Sequence, residues 1–286
     1  MNFQVRPLPA GVYFVATPIG AARDITLKAL DILASADVIA AEDTRTARKL
    51  MEIHGVPLGD RRLIAFHDHS GDEGVNGLIN LIKGGKSVSY VSEAGTPLIA
   101  DPGYELGVAA AKQGLLVEAA PGASAVLTAL TVAGIATDRF AFVGFLPAGK
   151  TQRRAEIAEL RDLPFTLVFY ESPKRVREML CDLCEVLGDE REAAVCRELT
   201  KKFRDVRRGR LGALVDDLDN MTLRGEFVVV VGRAGAVAVS DADVMAALKQ
   251  AMHTMRVKDA ATTVAGALGL PRKTVYQMAL TMKDKS

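Results

Sequence analysis

The sequence predicts an α/β protein: two tandem α/β domains followed by a small helical unit. Three observations carry this. Short β-rich runs alternate with amphipathic helical stretches through the first 230 or so residues. Glycine and proline punctuate the strand ends, where such sheets turn into helices. The last 46 residues, Asp241 to Ser286, carry only helical patterning.

The first set of elements runs Val12 to Ala16 as a strand, a helix from Thr26, Val38 to Ala41 as a strand and a helix from Thr44. Strands at Leu63 to Phe66 and Ser87 to Val91, a helix from Tyr104 and a strand at Leu115 to Ala119 follow. The turn Pro121-Gly122 then opens a helix over Ala123 to Val132, which places a domain boundary near Ala120. The predicted domains are therefore 1–120, 121–235 and 236–286.

The second set has strands at Phe140 to Gly144, Thr166 to Tyr170, Ala193 to Cys196 and Phe227 to Val231, with helices from Thr151, Pro173 and Leu211. Ala234 to Ser240 reads as a linker. Beyond it, helices over Asp243 to Met255, Lys258 to Leu268 and Pro271 to Met282, the last two joined by Gly269-Leu270-Pro271, suggest a helix-turn-helix-like unit. Its lysines and arginines outnumber its aspartates, which suits nucleic-acid contact, or else a dimer-packing or solvated helical cap.

Composition narrows the class. A formal charge of +1 on 286 residues says nothing for or against a nucleic-acid partner, so local clusters must decide. No stretch is apolar and long enough to span a bilayer, and a cytoplasmic enzyme with no membrane partner is the expectation. The three cysteines fit a reducing compartment. Cys181-Asp182-Leu183-Cys184 has metal-ligand spacing, but no second pair accompanies it, so no metal is expected and both thiols read as core-facing positions on one helix.

Chemistry concentrates at turns. Thr17-Pro18-Ile19-Gly20, Ser92-Glu93-Ala94-Gly95-Thr96-Pro97 and Asp101-Pro102-Gly103 follow first-domain strands, where open α/β sheets bind ligands. Small residues there let a ligand approach the backbone, while Glu93, Thr96 and Asp101 supply orienting polar groups. Ser124, in Pro121-Gly122-Ala123-Ser124-Ala125, sits where it can cap a helix or leave N–H groups facing a ligand. Arg197 to Arg210 holds seven cations against two anions, a basic β-ribbon suited to phosphate contact or to a charge-protected sheet edge.

Gly144-Phe145-Leu146-Pro147-Ala148-Gly149-Lys150-Thr151 matches the phosphate-loop pattern. Its physics does not: Pro147 has no N–H to offer a phosphate, and Phe145 and Leu146 are bulky and apolar. A P-loop NTPase is thus a minor reading, as is a non-enzymatic nucleic-acid-binding regulator that would leave the turn cluster unused.

Taken in order, Thr17-Pro18-Ile19-Gly20, Ala41-Glu42-Asp43-Thr44-Arg45, His67-Asp68-His69, Glu93 to Gly103, Gly144-Phe145-Leu146-Pro147, Phe169-Tyr170-Glu171-Ser172 and Arg197-Glu198-Leu199-Thr200-Lys201 resemble one family, the tetrapyrrole-methylase-like (class III) methyltransferases. The resemblance spans about residues 11 to 232 and the helical tail. Within the family it runs closest to the branch that methylates a cytidine ribose 2′-O in the decoding centre of 16S ribosomal RNA; corrin and porphyrin C-methylation is the alternative of the same fold.

The resemblance implies a homodimer with S-adenosylmethionine in a cleft between the two α/β domains. It implies donor contacts at Pro18, Glu93, Thr96, Ser124, Ala125, Tyr170, Glu198 and Leu199. Lys201, Asp43 and His67 become candidates for taking the ribose hydroxyl proton or orienting that hydroxyl, and Arg45, Arg207 and Arg208 for RNA phosphate contacts. The chain departs from the family pattern at Ala21 (usually Asn), Glu93 (usually Asp), Ala123 (commonly Pro) and Lys174 (commonly His).

Overall fold

The computed structural model describes residues 2–67, 70–100, 103–234, 241–268 and 270–283. His69, Asp101, Pro102, most of the expected linker and Gly269 lie outside the described residues. The protein is α/β, with two compact units, residues 1–233 and 234–286.

The first unit begins with β1 (Gly11–Val15), α1 (Leu27–Ser35), β2 (Val38–Ala41), α2 (Thr44–Ile53), β3 (Arg62–Ala65), α3 (Gly71–Lys83), β4 (Ser87–Val91), α4 (Tyr104–Lys112) and β5 (Leu116–Ala120). Its five strands form one parallel sheet in the order β3-β2-β4-β1-β5. Val12 and Phe14 bury into one layer, with Leu78 and Ile82 of α3 and Leu106 of α4. Tyr13 and Val15 bury into the other, with Leu30 and Leu33 of α1. Covered on both faces, these strands carry near-continuous apolar runs, as a parallel sheet requires.

The order also fixes where a ligand can enter. After β1 the chain crosses β4 to reach β2, and after β4 it crosses β1 to reach β5, so the adjacent ends of β1 and β4 send their connections in opposite directions. That is a topological switch point, and the crevice lies at the carboxyl ends of those strands.

The helix after β5, α5 (Ala125–Ala133), packs on a second sheet rather than the first. That sheet comprises β6 (Phe140–Phe145), β7 (Thr166–Glu171), β8 (Glu192–Arg197), β9 (Asp205–Arg210) and β10 (Phe227–Val231), in the order β6-β7-β10-β8-β9. Only β6 and β7 pair in parallel; the other neighbours are antiparallel. Leu167, Phe169, Val229 and Val195 face α6 (Lys150–Leu160), α7 (Val176–Leu187) and α8 (Leu211–Asp216), while Val168, Val228 and Cys196 face α5. The buried guanidinium of Arg153 on α6 is met by Asp182 of α7 at 2.7 Å and by the Ala148 carbonyl at 3.1 Å.

One expectation is corrected here. Cys181 is exposed on α7 and Cys184 only half-buried, because the two residues between them take the inward face, Leu183 in the core and Asp182 drawn to Arg153 and Arg154. In the phosphate-loop look-alike, Leu146 is buried and the Leu146 and Pro147 carbonyls accept from Arg175 Nη2 at 2.5 and 3.0 Å; that stretch packs against its own protein instead of cradling an anion.

The second unit holds α9 (Asp241–Met252), α10 (Val257–Leu268) and α11 (Arg272–Lys283) around a core of Val244, Leu248, Ala261, Val264, Val275 and Ala279. No described helix is long and apolar enough to cross a membrane.

Candidate active site

The loops after β1 and β4 are stitched together at the switch point. Thr17 N donates to the Gly95 carbonyl at 2.8 Å and Gly95 N returns a bond to the Thr17 carbonyl at 3.1 Å. Ser92 Oγ donates to the same Gly95 carbonyl at 2.9 Å, and Thr96 Oγ1 reaches the Ala123 carbonyl at 3.0 Å. Gly95, with φ of 89°, makes this turn, and an added Cβ would press on Ile19 at 3.3 Å. Ser124 caps α5 by accepting from Leu127 N.

The opposite wall comes from the second sheet. Tyr170 at the end of β7 is edge-on to Phe142 and Phe145, at ring separations of 4.8 and 5.7 Å. Glu171 beside it is buried and lies 3.3 Å from Arg175 Nη2. Beyond β8, Glu198 Oε1 accepts from Lys201 Nζ at 2.8 Å and from Glu226 N at 3.1 Å. Lys201 Nζ also reaches Glu226 Oε2 at 3.0 Å.

Between these walls opens a cleft of about 440 Å³, a size typical of a small-molecule site. Glu93, Thr96, Ser124, Ala125 and Tyr170 line it, so five of the eight residues expected to meet a donor share one space. Pro18, Glu198 and Leu199 do not line it: Pro18 lies between the bridging Thr17 and the lining Ile19, and Glu198 braces Gly225 and Glu226 from behind. Ile19, Glu42, Glu171, Gly225 and Glu226 line it too. Glu42 and Glu171 were within reach of sequence reasoning, each standing in a quoted motif. Gly225 and Glu226 carried no signal beyond a glycine ahead of a strand.

Among the described residues the lining contains Glu42, Glu93, Glu171 and Glu226 and no lysine, arginine or histidine. Such a wall favours a ligand bearing positive charge and opposes a polyphosphate. Backbone strain gathers at its edges: among the described residues, positive φ at a non-glycine occurs at Leu98, Ala100 and Glu198 (72°, 59° and 50°).

The three candidate base or orienting residues differ in setting. Asp43 caps α2, accepting from Arg45 N at 2.7 Å and from the Arg45 guanidinium at 2.9 Å, and these bonds hold its carboxyl at about 2. For Lys201, burial favours the neutral amine, but the bonds to Glu198 and Glu226 outweigh it and raise the pKa. His67 is exposed, just after β3, with its backbone N bonded to Ser70 Oγ.

Of the arginines expected to meet phosphate, Arg45 projects with 91% of its side chain exposed. Arg207 is tied to Asp205, Asp217 and the Asn220 carbonyl, and Arg208 donates to the Val132 carbonyl at the end of α5. Their bonds are internal to the fold. Among the described residues no group of three or more His, Cys, Asp or Glu is arranged to hold a metal ion.

Residues 11–215, which contain the bridged loops and most of the cleft, match the family of tetrapyrrole (corrin/porphyrin) methylases. The chain belongs to this family. As a tetrapyrrole methylase it carries an addition: residues 238–283 match the RsmI C-terminal HTH domain. The ribosomal RNA small subunit methyltransferase I of Mesorhizobium japonicum is 44% identical over 98% of this chain and 95% of its own. The protein of the same name from Pseudomonas aeruginosa is 38% identical over 98% of this chain and its whole length. Among solved structures, the methyltransferase CobJ superposes with a TM-score of 0.59 at 19% identity, covering 79% of this chain and 95% of its own. A uroporphyrin-III C-methyl transferase from Thermus thermophilus, complexed with S-adenyl homocysteine, gives 0.55 at 19%, covering 78% and 97%. At these identities the structures speak to the shared fold of the methylases.

Proposed function

We propose that this methylase transfers a methyl group from S-adenosylmethionine to small-subunit (16S) ribosomal RNA, at the ribose 2′-O of a decoding-centre cytidine. The carrying observation is the switch-point cleft, whose described lining has four glutamates and no lysine, arginine or histidine. S-adenosylmethionine is a cationic sulfonium with an ammonium group, which fits that charge. When bound, it supplies a methyl carbon activated by the sulfonium. The RNA substrate rests on the names of the relatives and on the helix-turn-helix unit.

In this reading Glu93, Thr96, Ser124, Ala125 and Tyr170 meet the donor directly. Pro18, Leu199 and Glu198 set the loops that do. The protein's task is alignment, plus removal of one hydroxyl proton. The Lys201 ammonium, fixed by two carboxylates, is suited to orienting the acceptor, and Asp43 at about 2 is a weak base. Of the three candidates His67 is left for the hydroxyl proton, an imidazole nitrogen being able to accept it. The two α/β halves divide near Ala120, the helical tail starts near residue 236, and the protein works as a cytoplasmic homodimer.

Calorimetry with S-adenosylmethionine, followed by methyl-transfer assays on small ribosomal subunits, naked 16S RNA and uroporphyrinogen, tests the reading. Donor binding with label on the RNA is expected, at a ribose 2′-O by nuclease mapping. No donor binding would reject the methyltransferase assignment for this cleft, and label on uroporphyrinogen alone would move the substrate to tetrapyrroles.

A further inference from the structure

The loop between β8 and β9 carries an aromatic ring that the fold leaves largely exposed. Phe203 is 66% exposed, although an apolar ring of its size gains by leaving water. Its neighbours are cations of a particular kind. Three of the seven cations in the basic stretch are paired with carboxylates within the fold, Arg207 with Asp205 and Asp217, Arg210 with Glu190 and Lys201 with Glu198 and Glu226, while Arg197 and Arg208 donate to backbone carbonyls. Lys202 and Arg204 are both exposed and have no ion pair among the described residues, and Lys202 Nζ lies 5.5 Å from the centre of the Phe203 ring.

The ring is also held close to the cleft. Arg204 N bonds the Lys201 carbonyl at 3.3 Å, Lys201 N bonds the Glu198 carbonyl at 2.9 Å, and the Lys201 side chain ends on the lining residue Glu226. An aromatic face between two uncompensated cations matches the chemistry of single-stranded nucleic acid, whose bases stack and whose phosphates need counter-charge. An apolar protein partner would be served by the ring but opposed by the two charges beside it.

We infer that Phe203 is a stacking platform for an unpaired base of the RNA substrate, with Lys202 and Arg204 on the flanking phosphates. Phe203 is thus a positioning residue that presents the acceptor strand to the cleft. The inference rests on the RNA reading above, and its test separates the two.

Methyl transfer to small ribosomal subunits is measured for wild type and for F203A, F203L, F203Y and F203W, with donor affinity by calorimetry and oligomeric state by sedimentation. Loss of one stacked base predicts a KM for subunits roughly 5- to 150-fold higher in F203A, with kcat and donor affinity within about twofold. F203L should be as weak as F203A, since it keeps apolar bulk but no π-face, and F203Y and F203W should restore the KM. Wild-type KM in F203A or F203L overturns the stacking role while leaving the RNA reading intact. A change of oligomeric state in F203A also overturns it, assigning the ring to contact between copies of the chain. Wild type that transfers no methyl to subunits or RNA overturns the parent reading and this inference together.

Discussion

Gly225 and Glu198 approach so closely that a Cβ on the glycine would stand 2.5 Å from Glu198 Oε1. The carboxylate cannot step aside cheaply, because that oxygen accepts from both Lys201 Nζ and Glu226 N. Gly225 also has a φ of 85°, which an L side chain rarely adopts. G225A should therefore cost about 1–3 kcal/mol of stability, read as a lower melting temperature, and should weaken donor binding several-fold in calorimetry, because Gly225 and Glu226 line the cleft. Wild-type donor affinity in a folded G225A protein would remove this segment from the donor site.

Much of this was legible in the chain. The parallel sheet announced itself through apolar runs ending in Gly/Pro turns, and those turns are the ones bridged by Thr17 and Gly95. The helix Gly71–Lys83 was not anticipated, although Val75, Leu78, Ile79 and Ile82 have helical spacing; Gly71, Gly74 and Gly77 within it weaken the local preference, and burial against Tyr90 and Phe66 decides. Charge was the least legible property. Seven cations in Arg197 to Arg210 look alike in sequence, yet folding brings Asp217, Glu190 and Glu226 from other segments to neutralise three of them and leaves Lys202 and Arg204 exposed. Pairing across distant segments leaves no local mark.

The buried Arg153–Asp182 pair makes the second test. Asp182 takes Arg153 Nε at 2.7 Å and Arg154 Nε at 2.7 Å, deep between α6 and α7. Removing one member leaves an uncompensated buried charge, so R153M and D182L should each lose about 3–5 kcal/mol. Denaturant unfolding of the two single variants and the double variant measures this, the double variant recovering part of the loss. Equal, additive losses would mean the two side chains are not coupled.

Glu198 and Lys201 give a pH dependence with a definite sign. For Glu198 burial raises the pKa, but the bond from Lys201, the Glu226 N–H and nearby positive charge outweigh it and lower it. Its contribution is therefore present above the unfolded carboxylate range and lost as pH falls through the lower folded value. Lys201, raised on balance, contributes below the ordinary lysine range and loses that contribution as pH climbs through its folded value. The melting-temperature gap between wild type and E198Q should accordingly be flat around neutrality and close in acid. A gap that persists after Glu198 is protonated would show that the pair's charge is not what stabilises the loop.

Arg45 and Arg208 were expected to act alike on RNA, and their surroundings separate them. Among the described residues Arg45 is ion-paired with Asp43, and it projects into solvent, so a phosphate can share its guanidinium. Arg208 spends its donors on the Val132 carbonyl, at 3.0 Å from Nε and 2.5 Å from Nη2, fastening β9 to the end of α5. R45A should weaken binding to small subunits and reduce the slope of log K against log salt by roughly 0.7–0.9, one phosphate contact, with melting temperature unchanged. R208A should lower the melting temperature, because a carbonyl in the last turn of α5 loses its partner and β9 loses its tie to that helix, and leave the salt slope nearly as in wild type. Filter binding across a salt series, with melting curves on the same samples, distinguishes the two. A reduced slope in R208A without thermal loss would return that arginine to the RNA interface.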